Sequence, residues 1–305
     1  MVVIAVAGGT GGLGKAIVEA LKARGKNEVK IFSRKADPEL EAKIGVPIIG
    51  VDYGNVAALT KSLEENKVHT VISILKHSKE GGDPDVNLIK AADASNTTKR
   101  YMPSEWGVPL TPEQYNELAA MEGKVDTVAL LKTTSLETCI VHIGFFMDYF
   151  GQPHYPSYIA QFVIAIDIAN NLAAIPGTGN VKAVLSHSLT IAAYVAAYVD
   201  LPKWKEEESV IGDRVTLNEV LALAEAAKGA KFKVTYDPLS DLKAGKMTLM
   251  PGQWSDDESV AMMALFGKWF EEGTFDIKTS RPMNELFPEI KPINVAEVVS
   301  AWQGK

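Results

Sequence analysis

The sequence predicts an α/β protein built on a doubly wound parallel sheet, and three observations carry that expectation. Short apolar runs alternate with amphipathic stretches through the first half of the chain, as βαβ units do. The first run, Val2-Val3-Ile4-Ala5-Val6-Ala7, leads directly into Gly8-Gly9-Thr10-Gly11-Gly12-Leu13-Gly14. That glycine stretch opens a helical pattern from Lys15 to Arg24, with Ile17, Val18, Ala20 and Leu21 on one apolar face.

The remaining elements follow in order. Val29 to Phe32, Val46 to Val51, Thr70 to Ile74, Arg100 to Met102 and Thr138 to Ile143 read as strands, with helices near 55–66, 84–96 and 113–132 between them. Beyond residue 150 the pattern is less regular. "IPGTGNVKAVLSHS" reads as a turn and a strand, followed by a helix over "LTIAAYVAAYVDL". "TLNEVLALAEAAKG" carries a Thr216 cap, Glu219 three residues on and a glycine stop at Gly229. "KFKVTYD" alternates like a strand, and the chain from Trp254 onward is mostly helical.

Composition excludes several classes. A chain of 305 residues, 47% hydrophobic and 23% charged, can bury a full core. Its net charge of -7 and lack of a basic cluster argue against nucleic acid as a partner. No window approaches a membrane span, so no membrane partner is expected. The first apolar run is too short for a signal peptide and has no basic lead, so the chain is expected to be cytoplasmic, and the Asn96-Thr97-Thr98 acceptor pattern carries no meaning. Cys139 stands alone inside an apolar run and reads as a core residue. Five scattered histidines show no metal-ligand spacing, and no metal is expected.

Gly8, Gly11 and Gly14 form G-x-x-G-x-x-G between a strand and a helix, which is the setting of a dinucleotide fingerprint. Small residues let the backbone, here also Thr10, Gly12 and Leu13, close on a pyrophosphate at the helix N-terminus. A plain tight turn is the other reading. The next strand ends in Ser33-Arg34-Lys35, where NAD-binding folds usually place a carboxylate for the ribose. A guanidinium pairs with a 2′-phosphate, so the expected cofactor is NADPH; a solvated basic turn is the alternative. Asp52, at the third strand's end, faces the adenine or closes an Asx turn. Ligands of such sheets sit at the carboxyl ends of the strands, which adds Ser73, Pro103, Ser104, Glu105, Phe145 and Phe146 to the candidate site.

"GGTGGLG", "IFSRK", "VISIL", "KRYMPSEWG" and "VHIGFFMDYFG", in that order, resemble the isoflavone-reductase-like or NmrA-like atypical short-chain dehydrogenases. "IPGTGN", "DLPKW" and "KFKVTYDPLSDLKAG" are similar to the fungal branch. The family usually has Phe where Trp106 stands. The resemblance implies a Rossmann-type domain over 1–150 and an intimately packed, smaller substrate-binding region over 151–305, with chain contributions interleaved. It also implies a catalytic lysine on the helix after the PSEWG segment. Lys124 matches that place, where it would also touch the cofactor, and Lys132 is the fallback. No tyrosine has a lysine four residues later, so the ordinary Tyr-x-x-x-Lys machinery is missing. Phe146 aligns with the phenylalanine beside the nicotinamide; core packing is its alternative.

Substrate contacts are expected from Ser104, Glu105, Trp106, Phe145, Met147, Tyr149, His154 and Tyr155, a mostly aromatic set. His142 reads as a core residue and His187 as a cap or turn before the next helix. Three functions stay open: an NADPH-dependent reductase of a small, flat, apolar aromatic, quinoid or enone metabolite; an NmrA-like redox sensor that binds the dinucleotide without catalysis; and a non-redox enzyme on the same fold. The oligomeric state is not legible.

Overall fold

The computed structural model describes residues 1–77, 83–117, 122–279 and 282–305, with the backbone alone at 122–126. The described chain forms two compact units. The first comprises Met1–Trp106, Leu110–Val141 and Ala192–Glu208, the second Gly107–Pro109, His142–Ile191 and Ser209–Lys305.

The first unit holds a six-stranded parallel sheet of β1 (Val3–Ala7), β2 (Glu28–Ser33), β3 (Ile48–Gly50), β4 (Val68–Ser73), β5 (Arg100–Met102) and β6 (Glu137–Thr138). Their order is β3-β2-β1-β4-β5-β6, so the winding reverses between β1 and β4, where such sheets bind ligands. The crossovers carry α1 (Gly12–Arg24), α2 (Pro38–Ile44), α3 (Val56–Glu65), α4 (Pro84–Ala94), α5 (Pro112–Asn116) and α6 (Glu122–Leu131). Ala5 and Ala7 of β1 join Phe32, Val71, Leu59, Leu63, Leu88 and Ile89 in one core. Ile4 and Val6, which alternate with them, are buried as well. A central parallel strand covered on both faces needs such an unbroken apolar run.

Two expected elements are divided. The strand read over 138–143 is β6 and then β7 (Ile140–His142). The helix read over 113–132 contains α5 and α6, with 118–121 outside the described residues, and Lys132 lies just past the end of α6.

The second unit contains two small sheets. In one, β10 (Leu172–Pro176) pairs antiparallel with β9 (Ile166–Asp167) and parallel with β14 (Lys233–Asp237). In the other, β11 (Lys182–Ser186) lies between β8 (Phe145–Phe146) and β13 (Asp213–Thr216). The α-helices of this unit are α8 (Leu217–Lys228), α9 (Leu239–Lys243), α10 (Asp257–Glu272), α11 (Met283–Leu286) and α12 (Val295–Ser300), while α7 (Ser188–Tyr198) and β12 (Glu207–Ser209) each have residues in both units. Thr216 and Glu219 form the expected capping box of α8, and Gly229 ends it in the left-handed conformation. The β9–β10 hairpin was not foreseen. Its signal was Asn170-Asn171, since Asn tolerates the positive φ that Asn171 adopts.

Candidate functional site

The three fingerprint glycines do different jobs. Gly8 has φ +81°, and a Cβ there would lie 2.9 Å from the Ile74 carbonyl oxygen. A Cβ on Gly14 would sit 2.3 Å from the Gly8 carbonyl oxygen, so this glycine lets α1 close on the turn. Gly11 is extended, and a Cβ there would meet nothing within 4 Å. Close helix packing therefore falls to Gly14, while Gly11 faces open space. No side chain caps α1, and its first turn has no acidic residue. The free N–H groups at Gly12, Leu13 and Gly14 thus stay available to an anion. The Leu13 side chain is in the core, so only its backbone can serve, and Thr10 is half-buried.

At the exits of β2 and β3, Arg34 and Lys35 are exposed and Ser33 half-buried. Arg34, Lys35, Gly50, Asp52, Tyr53 and Gly54 border an open recess of about 740 Å³. Asp52 accepts the Gly54 N–H at 2.9 Å, which is the Asx turn. The Tyr53 hydroxyl donates to the Phe32 carbonyl at 3.0 Å. Burial pushes its phenol well above the usual range, Asp85 adds to this, and Arg34 opposes it.

The exits of β4 and β5 are closed by side chains. Ser73 is fully buried and its carbonyl accepts the Trp106 indole N–H at 2.9 Å. The Ser104 hydroxyl donates to the Leu75 carbonyl at 2.7 Å. Ser104 and Glu105 are buried, and Pro103 with them. The Ser104 hydroxyl is thus spent on the Leu75 carbonyl, Glu105 is buried beside it, and Trp106 gives its N–H to β4.

Sequence reasoning missed the groups behind this segment. His77 Nδ1 lies 2.9 Å from Asp83 Oδ2 and its Nε2 is 3.2 Å from the Ser104 carbonyl. Asp85 is wholly buried and accepts bonds from Tyr101 and the Ser104 N–H. Burial pushes its carboxyl up, and hydrogen bonds from Ser73, Tyr101 and the Ser104 N–H hold it back. "DPD" did signal the start of α4, an Asp cap before a proline, but a buried acid two residues on looks like any solvated first-turn carboxylate.

Lys124 lies on α6, with its side chain outside the described residues. Lys132 is exposed and lines a groove with Glu137, Thr138 and Trp204.

In the second unit Phe145 packs edge-on against Phe266, Phe270 and Phe275, with centroids 5.3–6.3 Å apart. It also borders a small apolar pocket of about 40 Å³ with Leu242, Met263 and Phe270. Phe146 and Tyr149 pack at 6.4 Å, and Tyr149 continues to Phe162 and the half-exposed Trp254. Burial raises the Tyr149 phenol to about 12. Met147, expected at the substrate, is wholly buried among the core residues. His154 packs edge-on to Trp302, and Tyr155 bonds Glu297, so both are engaged with the C-terminal segment.

His187 Nδ1 accepts the Leu189 N–H at 3.2 Å, the expected turn at the start of α7. Burial lowers its pKa, and Asp148 opposes that. Asp148, also missed, is buried and accepts both the Ser188 N–H and the Ser157 hydroxyl. His142 and Cys139 are core residues, and burial raises the Cys139 thiol to about 12. Among the described residues no cluster of acids, histidines or cysteines could hold a metal, and no helix is long and apolar enough to cross a membrane.

A glycine turn at the switch point, an uncapped helix behind it and cations at the neighbouring strand exit define a Rossmann-type α/β protein. The chain belongs to the NmrA-like family, whose profile matches residues 2–299. It is 36% identical to the oxidoreductase BOA1 of Botryotinia fuckeliana over 96% of each chain. Among solved structures it resembles the leucoanthocyanidin reductase–NADPH binary complex from Vitis vinifera, with TM-score 0.77 and 21% identity over 99% of this chain and 100% of that one. It also resembles an NADPH-dependent quinone oxidoreductase from Escherichia coli, with TM-score 0.73 and 19% identity over 97% and 98% of the chains. At these identities the structural likeness is one of fold.

Proposed function

We propose that this protein is an NADPH-dependent oxidoreductase that reduces a small, flat, mostly apolar metabolite, an aromatic, quinoid or enone compound, with Lys124 as general acid or base. The observation that carries the reading is the glycine turn: Gly11 faces open space at the uncapped start of α1. The residues fit the dinucleotide, because the turn offers backbone N–H groups to a pyrophosphate and Arg34 and Lys35 offer positive charge beside an open recess. The Botryotinia relative is named an oxidoreductase, and both structural neighbours carry NADPH in their descriptions.

NADPH, when bound, supplies the hydride. The protein's part is binding and proton handling. The α1 N-terminus neutralises phosphate charge, and Arg34 selects the 2′-phosphate by paired, charge-assisted bonds. Phe145, Phe146 and Tyr149 present apolar, aromatic surface and few fixed charges, which suits a flat substrate. Lys124 gives a proton to the substrate oxygen as hydride reaches carbon, or takes one in the reverse direction.

The test is NADPH oxidation across phenolic, quinoid and enone compounds against small polar carbonyls, followed by Lys124→Ala on the best substrate. Turnover should fall roughly 10²–10⁴-fold, NADPH affinity should move less, and arginine should not rescue, since it stays protonated. Lys132→Ala is the control. Wild-type turnover in Lys124→Ala removes the lysine mechanism. Tight NADPH binding with no compound reduced turns the reading to a dinucleotide sensor.

A further inference from the structure

The segment leaving β4 lies at the switch point and is held from both sides. On the β1 side, the Ile74 N–H donates to the Ala7 carbonyl at 2.9 Å, and the Ile74 carbonyl presses on Gly8 so closely that no Cβ fits. On the β5 side, Trp106 holds the Ser73 carbonyl and Ser104 holds the Leu75 carbonyl. The two carbonyls flanking Ile74 are therefore fixed by one short stretch after β5.

That stretch is fixed in turn by Asp85. Its Oδ2 accepts the Ser104 N–H at 3.0 Å and its Oδ1 accepts the Tyr101 hydroxyl at 2.5 Å. Asp83 starts the same helix, taking the Asp85 and Val86 N–H groups on Oδ1 while Oδ2 faces His77. A first-turn aspartate satisfies a helix just as well from solvent, and burying one costs several kcal/mol unless its oxygens find donors. Asp85 is 0% exposed, and the donors that reach its carboxylate come from the β5 strand and its exit and from Ser73 at the end of β4.

We propose that Asp85 is a positioning residue for the dinucleotide: through Ser104 it sets the Ser73–Leu75 backbone against Gly8 and so holds the phosphate turn in its binding conformation. This rests on the NADPH reading above. The role is local to the turn. Neither Asp85 nor Ser104 borders the recess beside Arg34 and Lys35 at the β2 and β3 exits; the Asp85 charge reaches its rim only through Tyr53, so the charge-neutral Ser104→Ala is the cleaner arm of the test.

That separation gives a readout that general loosening would not reproduce. NADPH carries a pyrophosphate and adenosine 2′-monophosphate does not, while both carry the 2′-phosphate. Binding of each is measured by titration against wild type, Asp85→Ala, Asp85→Asn and Ser104→Ala. Asp85→Ala should weaken NADPH about tenfold and leave the monophosphate within twofold. Asp85→Asn keeps an acceptor for the Ser104 N–H and should recover most of the loss. Ser104→Ala removes only the bond to Leu75 and should weaken NADPH about three- to tenfold, again selectively, even where Asp85→Ala fails to fold. Unchanged NADPH binding in Ser104→Ala, or equal losses for the two ligands in a folded variant, overturns the proposal. A wild type that binds neither ligand overturns the dinucleotide reading, and this proposal falls with it.

Discussion

The exit of β1 and the exit of β8 are built in opposite ways. Behind β1 the chain offers backbone: Gly8, Gly11, Gly12 and Gly14 leave N–H groups and space, with no capping side chain. Behind β8 it offers side chains, Phe145 among three other phenylalanines and Tyr149 between Phe146 and Phe162. A backbone site depends on a few residues close in sequence. A side-chain site depends on partners more than a hundred residues away, such as Phe266, Phe270 and Phe275. Under the proposed function, the first would hold the ligand part shared by many proteins, and the second would be free to vary with the substrate.

The largest effect should come from the backbone site. Gly14→Val places carbon inside van der Waals contact of the Gly8 backbone, where no flexible side chain can yield. We expect a loss of more than about 3 kcal/mol of stability or failure to fold. Gly11→Val, three residues earlier, should leave thermal stability unchanged and abolish the stabilisation that NADPH gives, because its side chain enters open space. Melting curves with and without NADPH check both. A Gly11→Val protein still stabilised by NADPH like wild type would break the contrast.

The same contrast explains what the sequence made legible. The glycine turn after β1 and the cations after β2 follow from local pattern, whereas the strand order that puts the switch point between β1 and β4 does not. The burial of Met147 was not legible because consecutive residues "FFMDY" carry no mark of which faces inward once a strand gives way to a 3-10 turn at Met147–Phe150. The burial of Ser104 and Glu105 was hidden for another reason. A polar residue at a strand exit looks available until its surroundings are found, and here these are Leu75, whose carbonyl takes the Ser104 hydroxyl, and His77, 3.9 Å from Glu105 Oε1, both in the neighbouring strand's loop. Asp85 and Asp148 were invisible altogether, since burial of an acid is a property of the assembled core.

Met147→Ala measures the side-chain site. The residue is wholly buried, so truncation should cost about 2–5 kcal/mol in stability while NADPH affinity of the folded protein stays near wild type. Denaturant melts and a nucleotide titration give the two numbers. A marked change in substrate KM without loss of stability would return Met147 to the substrate.

Arg34→Ala has a smaller effect on the opposite side. Arg34 is exposed, so stability should hold, and NADPH binding should weaken by about 1–3 kcal/mol with NADH nearly unaffected. Equal losses for the two nucleotides would take Arg34 away from the 2′-phosphate.

The smallest effect is a pH dependence of the aromatic exit. The Tyr149 phenol is raised to about 12 by burial, with Asp148 adding to it, whereas an unfolded tyrosine ionises near 10. A group whose pKa is higher in the folded state stabilises the fold fully below the unfolded value. That contribution is lost as pH rises through the folded one. Stability should therefore decline from about pH 10 towards 12, partly because unfolding releases the Tyr149 proton. Tyr149→Phe has no proton to release and should show a shallower decline over that window, while losing little at pH 8. Urea melts at pH 8, 10 and 11 on both proteins measure the difference in slope. Parallel declines would mean that Tyr149 ionises alike in both states, and the exit of β8 would then be wetter than its packing against Phe146 and Phe162 implies.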